Sequence, residues 1–291
     1  MKDFPIPVVS AVPIGPGSQA GFGDDFSYVP IPREVQAFSM PQVPQDADAS
    51  AMAAACQLLA RFVDGMRDGA ASPPLELCGL PAAVIDILNQ TLGEGEVAIR
   101  IVRQNGARHD VRIQETVFAG VWRERHHGDD GALLSDLLLA APIPPAAVEH
   151  AERAASPLLP AIEIPRGAMN APSLLTEIRA GVARWRPGDE AHVINLTLLP
   201  LTPEDQALLE RALPSGSVAI LSRGFGNCRV TSTSVRNLWR VQYFNSMQTL
   251  ILNTLEITRV PEVALAAAED LADSRVRLLE LLEWMNESAA A

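Results

Sequence analysis

The side chains best equipped for chemistry are gathered between Arg223 and Ile257, a stretch reading RGFGNCRVTSTSVRNLWRVQYFNSMQTLILNTLEI. Cys228 follows Gly224-Phe225-Gly226-Asn227, and backbone N–H groups bunched by such a turn could lower a thiol pKa enough to make a nucleophile. A catalytic thiol also wants a histidine base, and beyond residue 172 there is only His192, with nothing in the sequence to bring it to Cys228. The favoured reading of Cys228 is therefore a buried small hydrophobe, with redox chemistry or transient metal contact as the alternative, and Cys78 reads as a core strand residue. Gly224-Phe225-Gly226 is a weak phosphate-loop signal, because a strand rather than a helix N-terminus follows it. The hydroxyl run Thr231-Ser232-Thr233-Ser234, flanked by Arg229 and Arg236, admits two readings of similar weight. One is β propensity with turn capping, and the other is a groove that hydrogen-bonds another polypeptide. His126-His127 would point to opposite faces of a strand, and solvation accounts for the acid pairs Asp129-Asp130 and Glu269-Asp270 without a calcium or magnesium site. The expectation is no catalytic set, no metal and no cofactor.

The elements that must hold these residues are short strands and helices. Gly224 to Asn227 is a turn cluster, because glycine and asparagine tolerate positive φ. Arg229–Thr233, Leu238–Phe244 and Leu250–Ile257 read as a β-meander, with a four-residue hairpin loop Asn245-Ser246-Met247-Gln248. Upstream, a helix capped by Ser50 runs to Gly69. It is followed by a strand at Leu75–Leu80, a helix from Pro81 to Leu92, and strands at Glu96–Arg103, Asp110–Glu115, Val117–Arg125 and Leu133–Leu139. The same order then recurs, with helices at Leu174–Trp185 and Pro203–Leu213 and strands at Val193–Leu198 and Ser217–Ser222 ahead of the meander. The recurrence extends to residues. Val97-Ala98-Ile99 lines up with Val218-Ala219-Ile220, Trp122-Arg123 with Trp239-Arg240, and Ile143-Pro144 with Val260-Pro261, which indicates a tandem duplication. A long amphipathic helix is expected from Pro261, with Leu271, Val276, Leu279, Leu282 and Met285 as its apolar stripe.

The predicted fold class is α+β. It comprises two tandem similar modules of mostly antiparallel sheet with helices, over 50–150 and 173–291, joined by a linker at 151–172. A Pro-rich extended arm over 1–49 precedes them, since proline at that density forbids helix and central strand.

A chain of 291 residues with 48% hydrophobic content and a mean hydropathy of +0.12 can bury a sizeable core. A net charge of −12 and a pI near 4.9 disfavour nucleic acid, which needs a basic face. No apolar run is long enough to span a bilayer, and Met1-Lys2-Asp3-Phe4-Pro5 lacks the apolar helix of a signal peptide. A cytoplasmic protein without membrane insertion is expected. Cys56, Cys78 and Cys228 are odd in number and far apart, which argues against a disulfide framework or a Cys-x-x-Cys metal site.

Three segments carry a family resemblance. They are Phe4-Pro-Ile-Pro-Val-Val with Gly15-Pro-Gly-Ser18; Gly224-Phe-Gly-Asn-Cys-Arg-Val-Thr-Ser-Thr through Asn237-Leu-Trp-Arg-Val-Gln-Tyr-Phe-Asn245; and Leu250-Ile-Leu-Asn-Thr-Leu-Glu256 with Val260-Pro-Glu-Val-Ala264. In these the chain resembles the HupH/HyaF family of hydrogenase expression/formation proteins. The resemblance implies an accessory protein in maturation of an uptake [NiFe] hydrogenase. Its implied partner is the iron–sulfur small-subunit precursor, which carries a twin-arginine leader before export, and a thioredoxin-like chaperone works beside it. No catalytic residues come with the family. Partner binding falls on the motif positions Gly224, Gly226, Asn227, Cys228, Arg229, Thr231, Thr233, Arg236, Asn237, Gln242 and Asn245. A thiol-dependent enzyme or cofactor-transfer protein using Cys228, and a scaffold joining other maturation factors, are the rival readings.

Overall fold

The computed structural model describes residues 47–66, 72–102, 110–223 and 227–290, with side chains to residue 287. The expected arm over 1–49 lies almost wholly outside the described residues, as do Gly224 and Gly226.

Alternation of apolar and polar residues builds the strands. They are β1 (Leu75–Glu76), β2 (Val97–Val102), β3 (Asp110–Glu115), β4 (Val121–His127) and β5 (Leu133–Ala140). Further along the chain come β6 (His192–Asn195), β7 (Ser215–Ser222), β8 (Asn227–Thr233), β9 (Leu238–Phe244) and β10 (Leu250–Ile257). The helices are α1 (Ala49–Gly65), α2 (Ala82–Leu92), α3 (Pro145–Ala154), α4 (Ala171–Arg184), α5 (Pro203–Ala212) and α6 (Ala268–Ala290). The chain is α+β, with its strands in one ten-stranded sheet of order β1-β5-β4-β3-β2-β7-β8-β9-β10-β6.

Outward from the β2–β7 joint the order reads 2-3-4-5-1 one way and 7-8-9-10-6 the other, which is the same order twice. All the strand pairings are antiparallel. At the joint Ile99 pairs with Ile220, its own counterpart in the sequence repeat, while Val97 pairs with Ser222 and Ile101 with Val218. A pseudo-twofold axis therefore passes between Ile99 and Ile220. Registers repeat as well: Trp122 opposes Leu139 and Glu115, and Trp239 opposes Glu256 and Ser232. Turn chemistry repeats with them. Gly120 and Asn237 both have positive φ, at 74° and 60°, in the turn before β4 and β9, and each carbonyl accepts from the chain leaving the next strand, at Ala141 and Thr258. Gly95 and Gly216 are matched by close approach, since a Cβ would lie 2.2 Å from the Thr116 carbonyl oxygen and 2.4 Å from Ser232 Oγ respectively. The joint is thus a continuous β-ladder rather than a cleft between separate bodies.

The two sheet faces bury different things. One carries α1, α2 and α6 over the first half, packed on Phe118, Val121, Leu138 and Ala140, and α4 with α5 over the second, packed on Leu238, Leu255 and Ile257. Between these helix groups the same face is polar and holds Arg100, Arg112, Arg123, Arg125, Arg229 and Arg240 in adjacent register. Arg123 is clamped there, with Nε and one terminal nitrogen on the Asp136 carboxylate at 2.5 and 2.6 Å and the other on Asn89 Oδ1 at 2.7 Å. The opposite face is one apolar layer across both halves, from Ile99, Ile101, Ile113 and Trp122 to Val218, Ile220, Val230 and Trp239, and α3 covers part of it.

Several sequence expectations are corrected. Asp48, not Ser50, caps α1, its carboxylate accepting from Ala51 N at 2.9 Å. The first strand shrinks to Leu75–Glu76, because Gly79 at φ 84° turns the chain, and Cys78 is exposed in that turn rather than in the core. β4 begins at Val121 instead of Val117, and β10 is reached after Asn245–Thr249, one residue more than the expected loop. Pro144-Pro145 opens a helix, α3, that the sequence reading did not include. After Pro261 the chain makes a 3-10 turn (Glu262–Ala264), and α6 starts at Ala268. That helix crosses to α1 of the first half and buries Leu271, Leu278, Leu281, Leu282 and Met285, leaving Val276 and Leu279 exposed.

Candidate functional site

The motif residues do not converge on one place. Asn227 opens β8, opposite Phe244. Arg229, Thr231 and Gln242 lie on the helix-bearing face, where the Arg229 guanidinium sits 5.3 Å from the centre of the Phe244 ring. Asn237 and Asn245 belong to turns, and Thr233 ends β8 where a turn begins. Thr233 Oγ1 accepts from Val235 N and donates within the turn leading to Leu238, and Asn245 Oδ1 accepts from Met247 N and Thr249 N. Arg236 is exposed and reaches the Glu152 carbonyl at 3.3 Å. Cys228 alone points into the shared apolar layer on the opposite face.

There Cys228 borders a hollow of about 330 Å³. Its walls come from the β2 end (Gly95, Glu96, Val97), the β3–β4 turn (Glu115 to Val117), Trp122, Ile220, Ser222 and Val230. Val263–Ala266 and Asp270 close it from the C-terminal side. That segment is pinned by the hydrogen bond from Ala266 N to the Pro142 carbonyl. The rim includes the exposed apolar side chains of Val263 and Leu265.

Three carboxylates meet in this hollow. Glu115 is only 9% exposed, and its Oε1 accepts from Gly120 N at 2.9 Å. Burial pushes its carboxyl up to about 7; the Gly120 hydrogen bond opposes the shift, and the Glu96 and Asp270 charges add to it. Burial also pushes the Cys228 thiol up, to about 11, against a hydrogen bond with the Tyr243 hydroxyl. The thiol is therefore protonated at neutral pH, the opposite of an activated nucleophile. Among the described residues no group of three or more His, Cys, Asp and Glu could hold a metal ion, and no helix is long and apolar enough to cross a membrane.

Sequence reasoning passed over Glu115, although its position was legible. Val111 and Ile113 set an apolar parity that Glu115 shares, and its counterpart in the second half is Ser232. The raised pKa has a checkable consequence. Below pH 4.5 Glu115 is neutral in both folded and unfolded chains. Between 4.5 and about 7 only the unfolded carboxyl ionises, so stability present at low pH is lost as pH rises through that window. The Glu115→Gln protein should therefore gain on the wild type by about 3 kcal/mol between pH 4.5 and 8. Denaturant melts at the two pH values check this, and parallel behaviour of both proteins would contradict it.

The sequence has relatives among known proteins. The family model described as "HupH hydrogenase expression protein, C-terminal conserved region" matches twice, over residues 50–159 and 168–285, in keeping with the tandem repeat. The chain is 42% identical over 290 residues to the hydrogenase expression/formation protein HoxQ of Cupriavidus necator, covering 98% of this chain and 99% of that protein. It is 43% identical to the hydrogenase expression/formation protein HupH of Rhizobium leguminosarum, over 78% of this chain and 80% of the relative. It is 32% identical to the hydrogenase-1 operon protein HyaF of Escherichia coli, over 95% and 96%. Among solved structures, the hydrogenase expression protein HupH from Thiobacillus denitrificans matches 38% of this chain and 92% of its own, at 29% identity and a TM-score of 0.36.

Proposed function

The chain belongs to the HupH family of hydrogenase expression/formation proteins, accessory factors in hydrogenase maturation, and on that premise we propose that it binds the iron–sulfur small-subunit precursor before export. The observation that carries the reading is kinship along nearly the whole chain with proteins of hydrogenase formation, rather than over one borrowed domain. A chain of net charge −12 suits a partner whose leader bears paired arginines. Arginine is drawn to carboxylates by charge-assisted hydrogen bonds, each contributing roughly 1.5–3 kcal/mol when shielded and little when exposed. The protein works in this reading as a holding factor beside a thioredoxin-like chaperone, through surface contacts that include the Gly224–Asn245 motif.

Calorimetry with the precursor and with its leaderless form tests the proposal. The leader-bearing form should bind more tightly, and its association should weaken with salt as screening shortens to about 8 Å at physiological ionic strength. Equal affinity for both forms would remove the leader from the account, and no binding of either would remove the partner. The thiol reading has its own test. With its pKa at about 11, Cys228 contributes packing rather than covalent chemistry. Cys228→Ser should therefore support hydrogenase activity in a complementation assay, and loss of activity at normal protein level and stability would reinstate the thiol.

A further inference from the structure

The pseudo-twofold axis between Ile99 and Ile220 relates the two ends of the shared apolar layer, yet the two ends are filled differently. After β5 the chain forms α3, which lies on β7 and β2 and inserts Ala147, Val148 and Ala151 into the layer. After β10 the counterpart segment makes only the 3-10 turn at Glu262–Ala264. It contributes Ala264 to the layer and leaves Leu265 exposed, and α6 then departs for α1. The hollow beside Trp122 is the place where a second copy of α3 would have lain, since it is walled by β2, β7 and β8 at the symmetry-related position.

Its lining also differs from the filled seat in one consistent direction. Where α3 is seated, the repeat positions are Ser217, Ser232, Val111 and Ile101. In the open seat the same positions are Glu96, Glu115, Cys228 and Ser222. Two neutral hydroxyls are thus replaced by carboxylates, and Asp270 from the start of α6 adds a third. Glu115 is the buried one, and only its Oε1 is hydrogen-bonded among the described residues, to Gly120 N. A buried carboxylate with an uncommitted oxygen, in a hollow with apolar walls, is complementary to a cation carried on a small-residue backbone.

We infer that the open seat receives a basic, small-residue segment of the partner protein, lying where α3 lies in the other half and placing a guanidinium or ammonium group on Glu115, Glu96 and Asp270. The inference rests on the partner reading above and gives it a location. The small side chains of the occupant match the depth that Ala151 fills on the symmetry-related side, the counterpart of Ala147 being taken already by Ala264. Its cation removes the mutual repulsion of the three carboxylates, and the exposed Val263 and Leu265 become covered.

The test uses the full chain and a defined probe, an acetylated, amidated peptide alternating Ala-Ala-Arg, with an Ala-Ala-Glu peptide as control, followed by calorimetry. The arginine peptide should bind and the glutamate peptide should not. Glu115→Gln should weaken arginine-peptide binding by roughly tenfold or more, and Ala266→Trp, which fills the hollow, should abolish it while leaving a cooperative melt. A photo-cross-linker at Leu265 should form its adduct with the peptide. No binding by the wild type, undiminished binding by Glu115→Gln, or adducts confined to residues 1–46 of the same chain would each overturn the inference. The precursor separates this failure from failure of the functional reading. If wild type and Glu115→Gln bind it equally, the partner stands and the location falls; if the wild type does not bind it, the partner falls.

Discussion

Trp239→Ala is expected to lower the free energy of unfolding by about 3–5 kcal/mol, the usual range for deleting a large buried aromatic. Trp239 is 2% exposed, lies in the apolar layer shared by both halves, and donates Nε1–H to the Arg259 carbonyl at 3.0 Å. Removing it opens a cavity beside Val241 and Val230 and leaves that carbonyl without its partner. Trp122 stands in the same register in the other half, 1% exposed, with Nε1–H on the Ala141 carbonyl at 2.9 Å. Trp122→Ala should cost less than Trp239→Ala, because Trp122 already borders the hollow and its neighbours have room to settle. Denaturant titration of both variants checks the pair. A near-wild-type midpoint for Trp239→Ala would contradict the packing described here.

Asp205→Ala should also be damaging, at about 2–4 kcal/mol, because it removes a capping carboxylate and leaves four backbone N–H groups without their acceptor. Its Oδ1 accepts from Met169, Asn170 and Ala171 N at 2.8–3.0 Å and its Oδ2 from Thr202 N at 3.0 Å. One side chain thereby caps α5 and also ties down the start of α4. Burial raises its pKa and the four backbone hydrogen bonds outweigh that, so the carboxyl titrates below the ordinary aspartate value. The contribution is therefore present above the unfolded pKa of 3.8 and lost as pH falls through the folded one. Asp205→Asn should recover part of the loss, because an amide oxygen can still accept at the Oδ1 site while its NH2 cannot accept from Thr202. Equal melts for the wild type and Asp205→Ala at pH 7 would contradict this role.

How much of this was readable beforehand depends on the range of the forces involved. The alternation in Val111-Arg112-Ile113 is a local signal, and its strand is where it is expected, whereas the positive-φ turn at Gly120 lies inside the stretch expected as strand and delays β4 to Val121. The repeat was legible because Trp122 and Trp239 hold one register, and the structure repeats their hydrogen bonds. The apolar stripe of α6 is right at Leu271, Leu282 and Met285 and wrong at Val276 and Leu279, because its partner, α1, lies more than 200 residues away in sequence and a helix read alone does not reveal which neighbour it will meet. α3 was missed because Pro144-Pro145 reads as the start of a linker unless proline is recognised at the first helical position. The hollow was out of reach for a further reason. The symmetry-related place holds α3, whereas here α6 leaves for the helix-bearing face, a tertiary choice that Val260-Pro261 does not encode locally. Within the motif, the structure places Thr233, Asn237 and Asn245 in turn chemistry and Cys228 at the hollow. Residue types alone did not separate these roles.

The central claim, that this maturation factor holds the small-subunit precursor, is tested most directly by purifying the tagged full-length protein from hydrogenase-expressing cells and determining the intact mass of what accompanies it. The account predicts the small subunit at the mass of its precursor, leader still attached, dissociating as salt is raised. Recovery of the processed small subunit alone, or of the large subunit without it, would contradict the account.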